Sequence, residues 1–400
     1  MSPARSTIYL DWNATAPPHP DVIEAVRQAA ETSWANPASV HGPGRRARAH
    51  VEAAREAIGA LVGYEPRDVT LTSGGTEANN LALGHAFSTT AASAGLQALV
   101  VSRIEHPSVV RTAEALAARG VLVVWVEPHP SGIVEPEAVA EAIDRASRLA
   151  QVRLVSLQAV NHETGVVQPV ARVAAIVRAR GIPLHVDAVQ AVGRLPPEAW
   201  EGADLLSIAA HKIRGPKGIG ALATRPGVRL APVLHGGAQE RGLRPGTQDP
   251  AACAGFAVAA SRASSAPARY AAVGVLRDQI EQELIEAGDA VHPGGSARPL
   301  RNGEAPRAPH VSNLSWPGWL GPELCAALDL EGVAVSSGSA CSAGTADPSP
   351  VLRAMLGEER ARSAVRVSLG EDSTPQEVRE AICKWKRVLS RTPRSSSAVP

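Results

Sequence analysis

The feature that most constrains this chain is an alternation running from about residue 68 to residue 224. Short continuous runs of Val, Leu and Ile at 68–72, 98–102, 121–126, 152–160, 183–187, 205–209 and 220–223 read as strands buried on both faces. Amphipathic stretches at 76–87, 108–119, 136–148 and 170–180 separate them and read as helices. Strands without polar alternation need cover on both sides, and the intervening helices supply it. The pattern therefore specifies an α/β fold whose large domain is a mostly parallel sheet covered by helices. Ligands in such sheets bind beyond the carboxyl ends of the strands, so the residues just after each strand are the ones to examine.

A Gly/Pro-rich stretch at 234–250 ends this alternation. Two long helical segments follow. They lead to strands at 311–315, 333–336 and 364–369 and helices at 322–330 and 375–390, a mixed order that suggests a smaller α+β domain. The expected division is a large domain over 16–255, a small domain made of 1–15 and 256–390, and a flexible tail over 391–400. The segment 288–309, rich in Gly, Pro and Arg, reads as a surface loop. No internal repeat is evident.

Forty basic and 39 acidic residues cancel to +1, which argues against nucleic acid or an anionic membrane as a partner. No apolar run reaches the roughly 20 residues of a membrane helix, and the first residues lack the apolar core of a secretion signal. The four cysteines have no paired spacing, which speaks against a disulfide framework or a zinc site and suits a reducing, cytoplasmic setting. Aromatic residues make up only 3%, so the core is aliphatic and a polar group at the end of a core strand stands out.

Three such groups occur in order. Thr72-Ser-Gly-Gly-Thr-Glu-Ala-Asn-Asn follows a strand and opens a helix. Gly74 and Gly75 let the backbone approach an anion, and Thr76 adds a hydroxyl at the positive helix end; an ordinary helix cap is the plainer alternative. Asp187 ends an apolar strand, where it can partner a protonated pyridine nitrogen or cap the next turn. The strand 205–209 runs into His211-Lys212, and a lysine desolvated at that position is an amine nucleophile. Together an anion cup, a strand-end Asp and a strand-end Lys make the pattern of a pyridoxal phosphate (PLP) site. The Gly-x-Gly-x-x-Ala spacing at 42–47 follows no strand and contains Pro43, so it is not read as a dinucleotide fingerprint. Cys341, in Ser336-Ser-Gly-Ser-Ala-Cys-Ser-Ala-Gly, reads as a reactive thiol on a mobile loop, whereas Cys253, Cys325 and Cys383 read as inert core residues of helices. Arg366, inside an apolar strand, is either an edge charge or a bidentate clamp for a carboxylate.

These segments, with Tyr9-Leu-Asp-Trp-Asn-Ala-Thr, Glu105-His106 and Gln239-Glu-Arg-Gly-Leu-Arg-Pro-Gly-Thr247, make the chain resemble the cysteine desulfurases of the NifS/IscS type, in the class V aminotransferase group of fold-type I PLP enzymes. The resemblance covers nearly the whole chain. It implies that Lys212 is the Schiff-base lysine, that Asp187 partners the pyridine nitrogen, and that His106 stacks on the ring and handles protons. Gln190 would bond the ring's phenolic oxygen, and Gly75, Thr76 and His211 would hold the phosphate. Thr247 would reach the phosphate of a second subunit, which implies a homodimer. Asn161 and Arg366 would bind the substrate, L-cysteine. Cys341 would accept sulfur as a persulfide and hand it to an acceptor or iron–sulfur scaffold protein, and could ligate a cluster transiently. No resident metal is implied.

Two positions depart from the pattern. Val160-Asn161-His162-Glu163 places a histidine where the family has a second asparagine near the phenolic oxygen, and an imidazole retains one donor there. Ala209-Ala210-His211-Lys212 lacks a phosphate-binding serine, a loss of roughly 1.5–3 kcal/mol in cofactor affinity. The alternatives are a related PLP enzyme (selenocysteine lyase, β-eliminating lyase or aminotransferase) or a weakly active sulfur-carrier or scaffold-binding relative.

Overall fold

The structure is a computed structural model, and it describes residues 7–88, 95–228, 230–291, 298–338 and 348–391. β1 (Ile8–Tyr9) precedes helices α1 (Pro20–Thr32) and α2 (Gly42–Val62). The alternating region follows as β2 (Val69–Thr72), α3 (Gly75–Ser88), β3 (Gln97–Ser102), α4 (Pro107–Ala118), β4 (Leu122–Val126), α5 (Pro136–Ser147), β5 (Gln151–Gln158), α6 (Val170–Arg178), β6 (Leu184–Asp187), β7 (Leu205–Ala209) and β8 (Gly220–Thr224). β2 to β8 form one seven-stranded sheet in the order β2-β8-β7-β6-β5-β3-β4. β8 lies antiparallel between β2 and β7, and the remaining pairs are parallel. This is the mostly parallel α/β sheet that the aliphatic runs specify.

β5 stops two residues before the expected 160. The chain turns there into a tight loop in which Asn161 N–H donates to the Val166 carbonyl (2.9 Å) and Gly165 N–H to the Asn161 carbonyl (3.0 Å). From β3 the chain steps outward to β4 and then returns to place β5 on the other side of β3. That reversal opens a crevice between the carboxyl ends of β3 and β5, the usual ligand position in an open α/β sheet.

The second region comprises α7 (Pro250–Ala263), α8 (Ala266–Val291), β9 (Leu300–Arg301), β10 (Val311–Ser315), α9 (Gly321–Leu330), β11 (Val333–Ala334), α10 (Pro350–Leu356), α11 (Glu358–Arg362), β12 (Ala364–Ser368) and α12 (Pro375–Arg391). β12, β10 and β9 form an antiparallel sheet, and β1 pairs with β11 in parallel. A second apolar core joins Ile8 and Leu10 to Val273, Leu314, Val365 and Trp385. α7, in contrast, packs on α1 and α2 and gives Phe256, Ala259 and Ala260 to the core of the large sheet. The expected boundary between 255 and 256 thus falls inside a helix of the larger core.

The expected surface loop at 288–309 is corrected. α8 continues to Val291, Leu300–Arg301 is a strand, and Asn302 and Ala308 are fully buried. Asn302 Nδ2 donates to Asn313 Oδ1 and Ser315 Oγ, both at 2.8 Å, so a polar residue in a Pro/Gly-rich stretch is satisfied by the neighbouring strand. The expected tail lies almost wholly outside the described residues. No described helix is long and apolar enough to cross a membrane.

Candidate active site

A cavity of about 170 Å³ lies at the carboxyl ends of the parallel strands. Its walls are built by the residues that end or follow β5, β6 and β7 (Gln158, Asp187 and Ala209), by the start of α3, and by Asn13 and Ala14 from the N-terminal segment. That segment is pinned by a close approach. A Cβ on Gly370 would lie 2.0 Å from Trp12 Cε2, so only glycine lets the indole lie against this backbone.

Asp187 is 7% exposed, and its carboxylate is oriented by neutral donors. Asn79 Nδ2 donates to Oδ2 (2.8 Å) and Val189 N–H to Oδ1 (3.0 Å). Asn79 Nδ2 also donates to Ser108 Oγ (2.8 Å), which lies 2.8 Å from His106 Nδ1. His106 caps α4, where its Nδ1 accepts from Ser108 N–H (3.1 Å). A ring nitrogen that accepts carries no proton, so the neutral imidazole holds its proton on Nε2. Burial pushes the His106 pKa below the ordinary histidine value; the Asp187 charge opposes this and Lys212 adds to it.

Lys212 sits in the short 3-10 turn Ala210–Ile213 that leaves β7, and that turn ends on Arg214 in the left-handed region (φ 65°). Arg214 is held by Glu371 (3.0 Å) and by Asp372, which fixes the turn. Lys212 Nζ donates to the carbonyls of Ala14 (2.9 Å) and Asn13. Buried Arg194 braces the same segment, donating to the carbonyls of Trp12 (3.2 Å) and Lys212 (3.1 Å) and to Asn13 Oδ1 (3.1 Å). His211 Nδ1 meets Thr15 Oγ1 at 3.1 Å, and burial lowers its pKa to about 3. At the opposite end, a Cβ on Gly75 would come within 2.8 Å of Val189 Cγ2 and 3.5 Å of the Ala209 methyl. Glycine lets the start of α3 pack this closely against Val189 and Ala209 at the cavity wall.

Of the residues singled out in the sequence, Gly75, Thr76, His106, His162, Asp187, Gln190, His211, Lys212 and Arg366 line this one cavity. Gln190 Nε2 donates to the Asn13 carbonyl (3.0 Å), and its Oε1 accepts from Arg194. Arg366 is 2% exposed, which removes the edge-charge alternative; it pairs with Asp11 Oδ1 (2.7 Å) and donates to the His162 carbonyl (2.9 Å). Asn161 is buried and is not among the residues that line the cavity. Its Oδ1 accepts from Glu163 N–H, Thr164 N–H and Thr164 Oγ1, and its Nδ2 donates to the Ile104 carbonyl, so it builds the turn after β5. Thr247 lies outside the cavity on an exposed segment. Cys341 lies outside the described residues. Cys253 is buried and Cys325 half-buried, each with its thiol pushed up to about 12 by burial. Cys383 is exposed, which corrects its reading as a core residue.

Asn13, Asn79, Ser108, Gln158 and Arg194 were not foreseen as site residues. Asn13 and Asn79 fall inside the motifs already singled out, so motif membership was the available signal for those two.

A lysine, a carboxylate and a helix N-terminus converging at strand ends define the class of fold-type I PLP proteins. Residues 8–380 match the family described as Aminotransferase class-V. The chain is 36% identical over 404 residues to a cysteine desulfurase of Bradyrhizobium diazoefficiens, covering 100% of this chain and 98% of that protein. It is 36% identical to an IscS-like cysteine desulfurase of Mycobacterium tuberculosis, covering 98% of each chain. Among solved structures, a NifS-like protein superposes with a TM-score of 0.85 at 31% identity, covering 96% of this chain and 99% of that one. DndA from Streptomyces lividans superposes with a TM-score of 0.72 at 35% identity, covering 92% and 98%. The chain belongs to the aminotransferase class-V family, in its cysteine desulfurase branch.

Proposed function

We propose that the protein is a PLP-dependent L-cysteine desulfurase that releases alanine and takes the sulfur as a persulfide on Cys341. The observation that carries this reading is the convergence of Lys212, Asp187, His106 and the α3 N-terminus on one cavity. The donor set fits PLP. Asp187, oriented by neutral donors, offers a carboxylate to a ring N–H. Gly75 and Thr76 bring a helix N-terminus to the cavity where a phosphate can be held, and Lys212 offers the amine. When bound, PLP supplies the electron sink that weakens the substrate's Cα–H and C–S bonds.

The protein's own groups supply the rest. Lys212 Nζ, displaced by the substrate amine, carries the proton at Cα. His106, fixed in its Nε2–H form by Ser108, presents a donor to the cavity. Arg366, braced by Asp11, directs positive charge at the substrate carboxylate. The Cys341 thiolate attacks the substrate sulfur. An S–S bond forms, the C–S bond breaks, and the carbon keeps the electron pair and is protonated to the methyl group of alanine. The persulfide then passes to an acceptor or iron–sulfur scaffold protein in the cytoplasm. A homodimer is supported by Val233 (43% exposed) and Leu234 (52% exposed), apolar residues on the segment that leads to Thr247.

Mass spectrometry after turnover with cysteine tests the proposal. The expected result is one added sulfur atom on Cys341, absent from Lys212→Ala. Alanine release by Cys341→Ala at the wild-type rate, or steady formation of a keto acid, would overturn it.

A further inference from the structure

Next to His106, the cavity wall holds a second imidazole whose hydrogen bonding the reaction described above does not use. His162 is 5% exposed and stands edge-on to His106, with ring centroids 5.2 Å apart at 72°. Its Nε2 faces Glu163 Oε1 at 3.6 Å. Both atoms are buried, and neither has a hydrogen-bond partner among the described residues.

The neighbours fix where the protons sit. Gln158 Nε2 donates to the Ile104 carbonyl, which can only accept, so the amide orientation is settled and Gln158 Oε1 faces His162 Nδ1 (3.5 Å). Nδ1 is therefore the protonated nitrogen, and a neutral ring has an acceptor at Nε2. On the other side, Ser349 Oγ accepts from Leu352 N–H (3.0 Å) and spends its own proton on Glu163 Oε2. Glu163 Oε1 remains, pointing at an acceptor.

We propose that Glu163 is a carboxylic acid whose Oε1–H donates to His162 Nε2, forming a neutral acid–imidazole pair that positions the cavity wall. The alternative is a glutamate–imidazolium ion pair. The charges facing His162 oppose it: the Arg366 guanidinium binds the residue's own carbonyl, and the Lys212 ammonium also acts on the ring. Burial is the largest cause in both groups, holding His162 well below the usual histidine range and Glu163 above the usual carboxylate range. The Ser349 hydrogen bond and Arg366 work the other way, favouring the carboxylate, but burial outweighs both and Arg366 is already paired with Asp11.

Two consequences follow. His162 has no donor left for a ligand, because its one N–H is committed to Gln158; it contributes its ring edge rather than a hydrogen bond. Glu163 becomes a positioning residue that joins this wall to Ser349, the N-cap of α10.

The test uses cofactor-free protein labelled with ¹⁵N at histidine, so it is independent of the thiol chemistry. His162 is assigned by its loss in His162→Asn. Expected are a protonated Nδ1 and an unprotonated Nε2 whose shifts stay constant from about pH 5 to about pH 9. Glu163→Gln, whose amide N–H replaces the acid proton, should leave these shifts nearly unchanged. Glu163→Ala should move the Nε2 resonance. In the loaded enzyme Glu163→Gln should keep kcat/KM for cysteine within about twofold, and Glu163→Ala should not. Two protonated nitrogens at neutral pH, or an Nε2 resonance that Glu163→Ala leaves in place, would overturn the proposal.

Discussion

Glu163 and Glu240 are both buried glutamates in motif segments, yet their surroundings are opposite. Glu240 has a fully buried side chain held by one guanidinium and by N–H donors. Arg55 Nη1 and Nη2 each reach its carboxylate at 2.6 Å, and Leu71 N–H and Gln248 Nε2 donate at 2.9 Å. It anchors a turn in which Glu240 (φ 48°), Arg241 (φ 57°) and Gly242 (φ 80°) are all left-handed. Two non-glycine residues in that region are strained, and the bonds to Glu240 and from Arg241 to Thr70 Oγ1 (3.1 Å) hold them there. Glu163 has a serine and an imidazole instead. Burial alone does not decide the charge of a carboxyl group; the partner does.

The largest expected effect separates the two by the same substitution. Glu240→Gln leaves the Arg55 guanidinium buried without its carboxylate, and breaking such a pair costs about 3–5 kcal/mol. Glu52, 3.5 Å from Arg55 and half exposed, keeps the cost toward the lower end. Glu163→Gln replaces one neutral donor–acceptor group by another and should cost less than about 1 kcal/mol. Urea unfolding of the two variants measures both, and equal losses would break the comparison.

His185 sharpens the point with a buried base that has neither acid nor cation as a direct partner. It is fully buried between Ser156 Oγ (2.9 Å) and Ser207 Oγ (3.0 Å), and burial lowers its pKa to about 4 although Asp187 opposes the shift. The folded value lies below the unfolded one, so the unfolded chain binds the extra proton first. The stabilisation is complete above about pH 6.5 and is lost as pH falls toward about 4, an expected change of about 3 kcal/mol. His185→Gln should flatten that part of the stability–pH curve relative to wild type. An unchanged slope would mean that hydroxyl partners do not keep a buried imidazole neutral here.

The same contrast explains what the sequence made legible. Gly75, Asp187 and Lys212 stood out because each ends or follows an aliphatic run, and strand ends are where this fold places ligands. The short strand at Leu300–Arg301 did not, because its pattern is set by its partner β10 rather than by its own residues. Asn161 sits in a motif that reads as substrate-binding, and its side chain also closes a local turn by accepting from N–H groups two and three residues ahead, which the motif's letters do not reveal. Glu163 and Glu240 look alike as letters. Their partners lie 186 and 185 residues away, at Ser349 and Arg55, and no local pattern carries that information.

The smallest effect is the sharpest test of Glu163. Ser349→Ala removes both the α10 cap and the hydroxyl donor to Glu163, an expected loss of about 1–2 kcal/mol. The cost should be the same in a Glu163→Gln background, because a neutral acid and an amide each offer the serine a carbonyl-type acceptor. A double-mutant cycle should then give a coupling within about 0.5 kcal/mol of zero. If Glu163 were ionised, the serine would lose a charge-assisted bond in the wild-type background alone, and the coupling would rise to about 1 kcal/mol or more. That result would place Glu163 beside Glu240 as a charged group, and the difference between the two segments would lie in geometry rather than in protonation.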